Sequence, residues 1–167
     1  MGLEIMIEDA RWSELDLEAL GTRAYDSTLA HLGIDSDSTE AALLACDDAH
    51  IARLNADFRD KPTPTNVLSW PAEDLAPATE GAMPRAPGPD ITGEIALGDI
   101  AIAYETCARE AMEAGKPLSD HVTHLVIHGV LHLLGYDHIR DRDATLMEQT
   151  ETTILGTMGI DDPYRTG

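Results

Sequence analysis

Apolar residues alternate with an acidic one from Leu3 to Ile7, the two-residue period of a strand, and from Leu17 to Leu32 the spacing becomes helical and stops at Gly33. Ala41 to Cys46 is a short apolar run that reads as a second strand. Asp47 is then placed to N-cap a helix carrying Ile51, Leu54 and Phe58, which Pro62 and Pro64 end. Val67 to Trp70 reads as a third strand closed by Pro71, Glu94 to Ala103 as a fourth, and Tyr104 to Ala114 as a helix capped by Gly115. Ser119 is the expected N-cap of a histidine-rich helix, and a last helix runs from about Ala144 to Met158. The order β-α-β-α-β-β-α-α-α predicts one α+β domain over residues 1–167, a single small mixed sheet packed by helices. Between about residues 71 and 93 the pattern lapses, with Pro77, Pro84, Pro87 and Pro89 among Gly and Ala. A loop of that length is either a mobile insertion or a binding loop, and its composition favours the insertion.

The histidine-rich helix carries the candidate chemistry. His128, His132 and His138 stand at i, i+4 and i+10. On a helix the first two present ring nitrogens on one face, and Gly135 can take the left-handed conformation that ends the helix and brings His138 back as a third donor. Three protein ligands leave a fourth position open, which distinguishes a catalytic zinc from a structural one. A single histidine on an apolar helix is usually a packing residue, but three at this spacing with a glycine at the turn are not explained by packing. The metzincin pattern H-E-x-x-H-x-x-G-x-x-H falls on His128, His132, Gly135 and His138, except that Gly129 stands where the general-base Glu would be. The ligand set is present and the protease base is absent. His121 and His124 lie on nearly the same helical face and are expected to line the cleft or to occupy a partly solvated helix end. Asp99, Asp137 and Asp141 are candidate acceptors for the ligands' free N–H groups.

Charge narrows the picture. Eleven Lys and Arg against 31 Asp and Glu give a net charge of −20, which disfavours a general nucleic-acid binder, and no DNA partner is expected. Yet Arg53, Arg59 and Lys61 flank the proline loop, and Arg140 and Arg142 follow the third histidine. That placement predicts a local positive cleft suited to a defined RNA end within a larger particle. Cys46 and Cys107 are isolated, so neither a disulfide framework nor a cysteine metal site is supported. The N-terminal residues have no basic or apolar leader region, and the stretch around the histidines is too short and polar to span a bilayer, so a cytoplasmic protein is expected.

Three stretches carry a resemblance: Leu54 to Pro71, containing Arg59 and Pro-Thr-Asn-Val-Leu-Ser-Trp-Pro, then Leu97 to Ile102, and His128 to His138. Together they closely resemble the YbeY family of bacterial metal-dependent endoribonucleases, and the likeness continues through Met147 to Glu151 to the Pro163-Tyr164 ending. The family's Arg-x-x-Asp-x-Pro-Thr pattern is broken by Pro62, and Trp70 replaces the usual Phe. The resemblance implies a zinc ion held by His128, His132 and His138, with Arg59 beside it as a catalytic residue. It implies a single-strand-specific RNA substrate in ribosomal RNA maturation, including 16S rRNA 3' end processing, and in ribosome quality control. Ribosomal particles, ribosomal proteins and GTPase assembly factors are the partners it implies. A guanidinium suits a phosphodiester because it offers a planar fork of donors and stays charged. Two other classes share the features: a zinc peptidase whose base arrives from outside the motif, and a non-enzymatic assembly factor in which zinc only holds the fold.

Overall fold

A computed structural model describes residues 2–59, 63–88 and 93–164, without the side chains of Phe58 and Arg59. The chain builds β1 (Gly2–Ile7), α1 (Leu17–His31), β2 (Thr39–Cys46), α2 (Asp48–Arg59), β3 (Val67–Pro71), β4 (Ile95–Ala103), α3 (Tyr104–Ala114), α4 (Leu118–Leu133) and α5 (Asp141–Thr157), with short 3-10 turns at Ala10–Leu15 and Ser36–Ser38. The four strands form one mixed sheet in the order β1-β2-β4-β3, parallel except for the antiparallel β3–β4 pair. The domain is α+β, as the periodicity predicts.

Each strand is read on alternate faces. Along β4, Ile100 and Ile102 enter the main core beneath α1 and α4, while Ala101 and Ala103 join a smaller core with Ile51 of α2. The main core holds Trp12, Tyr25, Leu43, Ile127 and Leu131, all at 0% exposure, so α4 is a buried central helix. Gly129 is where α4 meets the sheet: an added Cβ would lie 3.1 Å from two carbons of Ile100.

Two helix starts differ from the periodic pattern. Pro117, extended at φ −60° and ψ 143°, is the N-cap of α4, so Ser119 lies inside the first turn, where its carbonyl accepts from the Thr123 hydroxyl. Helix α5 begins at Asp141 rather than Ala144, because Asp141 and Asp143 in the first turn suit the positive end of the helix dipole. Asp47 caps α2 as expected, its carboxylate accepting from the His50 N–H at 2.8 Å.

The proline-rich segment is tied down through its described part. Leu75 is 3% exposed, and its carbonyl accepts from the Arg85 N–H. The Arg140 guanidinium donates to the Pro77 and Ala78 carbonyls, and the Asp143 carboxylate accepts from the Gly81 N–H at 2.8 Å. These contacts fasten the described part of the expected insertion to the start of α5, and Glu73, Asp74, Leu75 and Ala76 from it wall the cleft described below.

Candidate metal centre and cleft

His128 and His132 sit one turn apart near the end of α4, with their Nε2 atoms 3.0 Å apart. The helix stops in a Schellman turn: the Gly135 N–H returns to the His132 carbonyl and the Tyr136 N–H to the Leu131 carbonyl. Gly135 has φ +100°, and an added Cβ would meet the Leu75 carbonyl carbon at 2.6 Å. Only glycine fits there, and the reversal it permits brings the His138 ring to 5.4 Å from His128 and 5.1 Å from His132, centroid to centroid. One nitrogen from each of the three rings lies within 4.8 Å of the others.

These donors fit a metal ion. Zinc–nitrogen bonds of about 2.0–2.1 Å in tetrahedral geometry set ligand nitrogens about 3.3 Å apart, inside the observed spread. Burial, then the neighbouring His128 and His138, push His132 down to about 4, so its ring is neutral and able to donate a lone pair at ordinary pH. His138, with 55% of its side chain exposed, leaves the group open to solvent on one side. That opening leads into a cleft of about 600 Å³. Its walls are Thr65 and Asn66 leading into the edge strand β3, Ser69 of that strand, and the loop residues Glu73 and Asp74.

Behind the triad stands Glu151 of α5, fully buried, whose Oε2 accepts from His128 Nδ1 at 3.0 Å. Burial alone would raise this carboxyl, but hydrogen bonds from His124 and His128 outweigh it and hold it at about 2. It therefore stays ionised. Sequence reasoning offered Asp99, Asp137 and Asp141 for this role and missed Glu151. The signal was legible: Glu151 falls between Met147 and Ile154 and Leu155 on the buried stripe of α5, where an unpaired carboxylate would not survive. Asp99 shares the Ala101 and Ala103 side of β4, opposite the face that packs on α4. Asp137 is 4.0 Å from His138 Nδ1, and its carboxylate accepts from the His138 backbone N–H. Asp141 opens α5.

The other predicted residues separate. His124 joins the Glu151 cluster, whereas His121 turns to Glu110 of α3 at 2.9 Å. Glu110 also accepts from the Asn66 amide at 3.0 Å, which fixes the entry to β3. Arg59 ends α2, its side chain lying outside the described residues, as does Lys61. Arg53 is exposed on α2. Arg140 is engaged with Asp143 and the loop carbonyls, and Arg142 packs over Gly81. The described cleft wall contains no Lys or Arg, so the expected positive cleft is not formed by Arg140 and Arg142.

The model of the family described as Endoribonuclease YbeY matches residues 4–159. The chain belongs to the endoribonuclease YbeY family. Curated members named Endoribonuclease YbeY include one from Ruegeria pomeroyi, 63% identical over 164 residues that cover 98% of each chain. Another, from Dinoroseobacter shibae, is 58% identical over 98% of this chain and 91% of its own, and one from Sinorhizobium fredii is 45% identical over 98% and 92%. Among solved structures, the solution structure of TM1509 from Thermotoga maritima is similar in fold, with a TM-score of 0.60 and 22% identity over 98% of this chain and 99% of that one. The reaction class of the YbeY family, by its name, is hydrolysis within an RNA chain.

Proposed function

We propose that this chain is a zinc-dependent, single-strand-specific endoribonuclease of ribosomal RNA maturation, including 16S rRNA 3' end processing and ribosome quality control, working in the cytoplasm on RNA within ribosomal particles. The observation that carries the reading is the convergence of three imidazole donors at the mouth of an open cleft in a member of the YbeY family. His128, His132 and His138 would hold the ion, which supplies Lewis acidity and a water of lowered pKa. His128 and His132 orient their donors from the rigid, buried α4, and His138 does so from the turn that Gly135 permits. Arg59 would stabilise charge on the phosphorus oxygens through its bidentate fork. What supports this is that the Asn55 amide, one turn earlier on α2, donates to the Thr63 carbonyl at 3.0 Å and so ties the end of α2 to the segment that leads to Thr65 and Asn66 in the cleft wall.

No carboxylate occupies the metzincin base position, and Gly129 faces Ile100 rather than the cleft. This disfavours a peptidase. The test is cleavage of a defined single-stranded RNA with and without a chelator, with zinc restored, beside a casein digestion. RNA should be cut only with metal and casein not at all. His128→Ala, His132→Ala and His138→Ala should each lose most bound zinc by elemental analysis. Full zinc occupancy in all three variants would overturn the site, and zinc-dependent casein digestion would overturn the reaction class.

A further inference from the structure

From His128 the contacts continue outward, away from the cleft, to the far end of the chain. Glu151 Oε2 accepts from His128 Nδ1 at 3.0 Å, while Oε1 accepts from the Tyr164 hydroxyl at 2.7 Å and from His124 Nε2. Tyr164 reaches this point through two turns. Helix α5 ends in a Schellman turn at Gly159 (φ +77°), where the Gly159 N–H returns to the Gly156 carbonyl and the Ile160 N–H to the Leu155 carbonyl. Asp162 Oδ1 then accepts from the Thr152 hydroxyl at 3.2 Å and from the Tyr164 N–H at 2.8 Å, which pins the returning segment beside α5. The Tyr164 ring stands edge-on to His124 at 5.6 Å between centroids.

We propose that Glu151 is the positioning residue of the metal centre, and that Tyr164 of the C-terminal segment, with His124, clamps it against His128. The inference deepens the reading above and rests on it for the role of His128 as a ligand. A neutral imidazole carries one proton, on either nitrogen. A carboxylate at Nδ1 keeps the proton there and leaves the lone pair on Nε2, the atom that faces His132 Nε2 at 3.0 Å. A carboxylate with one partner can swing and take the ring with it. Glu151 is held more firmly, because rotation would break the two bonds on Oε1 of a fully buried carboxylate. The C-terminal segment therefore sets the aim of a cleft ligand from behind. His124, His128 and Glu151 also lie close enough to form a metal group of their own. Both carboxylate oxygens are already satisfied by N–H and O–H donors, which favours positioning over ligation.

The test uses the full-length chain, Glu151→Gln and Tyr164→Phe, with two readouts. Long-range nitrogen NMR of the metal-free chains reports which His128 nitrogen is protonated, and competition with a chelator reports zinc affinity. The unmodified chain should show His128 protonated at Nδ1 and bind one zinc. Glu151→Gln should shift His128 toward the other tautomer and weaken zinc by about 10–100-fold. Tyr164→Phe, which removes one oxygen and keeps the fold, should weaken zinc in the same direction by less. Unchanged tautomer and affinity in both variants would overturn the proposal. So would two zinc ions per chain with one lost in Glu151→Gln, since Glu151 would then be a ligand. If the unmodified chain bound no zinc, the proposed function would fail, while the tautomer comparison would still decide whether Glu151 orients His128.

Discussion

At the residue scale the site divides into donors held by geometry and groups that act on charge, and the two respond differently to substitution. Arg59 donates no metal ligand. Arg59→Ala is expected to leave zinc content nearly unchanged and to shift thermal stability by no more than about 0.5 kcal/mol, the outcome for a guanidinium that serves the substrate and not the fold. RNA cleavage should fall on the order of 10²-fold or more, and Arg59→Lys should recover only part of it, because lysine lacks the bidentate fork. Equal cleavage at equal zinc occupancy would reduce Arg59 to a surface residue. His121 gives a second prediction, independent of the metal. Burial lowers its pKa, with Glu110 opposing, so below the ordinary histidine value the unfolded chain binds a proton that the folded chain resists. Stability contributed by His121 is therefore full above about pH 6.5 and is lost as pH falls toward the depressed folded value. Urea midpoints of His121→Gln, measured from pH 7 to 5, should fall less with acid than those of the unmodified chain, and parallel curves would refute the linkage.

At the element scale, the histidine spacing translated into structure almost without loss, because i, i+4 on a helix and a glycine-permitted reversal are local rules. The same holds for the strands, whose alternation places Ile100 and Ala101 on opposite faces. What was not legible depended on which element packs on which. Glu151 becomes a partner of His128 only because α5 lies against α4, and the proline-rich segment becomes a cleft wall only because Arg140 and Asp143 hold its backbone. Composition alone reports neither. The packing of α4 on β4 also decides what a restored protease motif would do. In Gly129→Glu the new side chain would meet Ile100, not the cleft. The variant should lose about 3 kcal/mol or more in denaturant unfolding, as expected for a carboxylate without a partner in the core, and gain no peptidase activity. A stable variant that digests casein would mean that residue 129 reaches the metal.

At the scale of the whole molecule, a chain of net charge −20 must meet a polyanion through a cleft whose described walls carry Glu73, Asp74 and Asp137 and no lysine or arginine. For Arg140 and Arg142 sequence placement misread this, because Arg140 lies two residues after His138 in the chain yet is engaged by Asp143 and the loop carbonyls. The long-range field therefore opposes association, and on the proposed function attraction would fall to short-range contacts at the metal site and at Arg59, with Lys61 its neighbour in sequence. Binding of single-stranded RNA releases counterions in proportion to the phosphates neutralised, with a slope of log K against log salt of about −0.7 for each. If Arg59 and Lys61 each neutralise one phosphate, a shallow slope of about −1.4 is expected for a short single-stranded RNA, measured by fluorescence anisotropy between low and physiological salt. Arg59→Ala should reduce the magnitude of the slope by about 0.7, with little change in the preference among sequences. A slope steeper than about −4 would require a cationic surface well beyond Arg59 and Lys61 and would overturn the picture of an acidic protein that engages RNA only at its cleft.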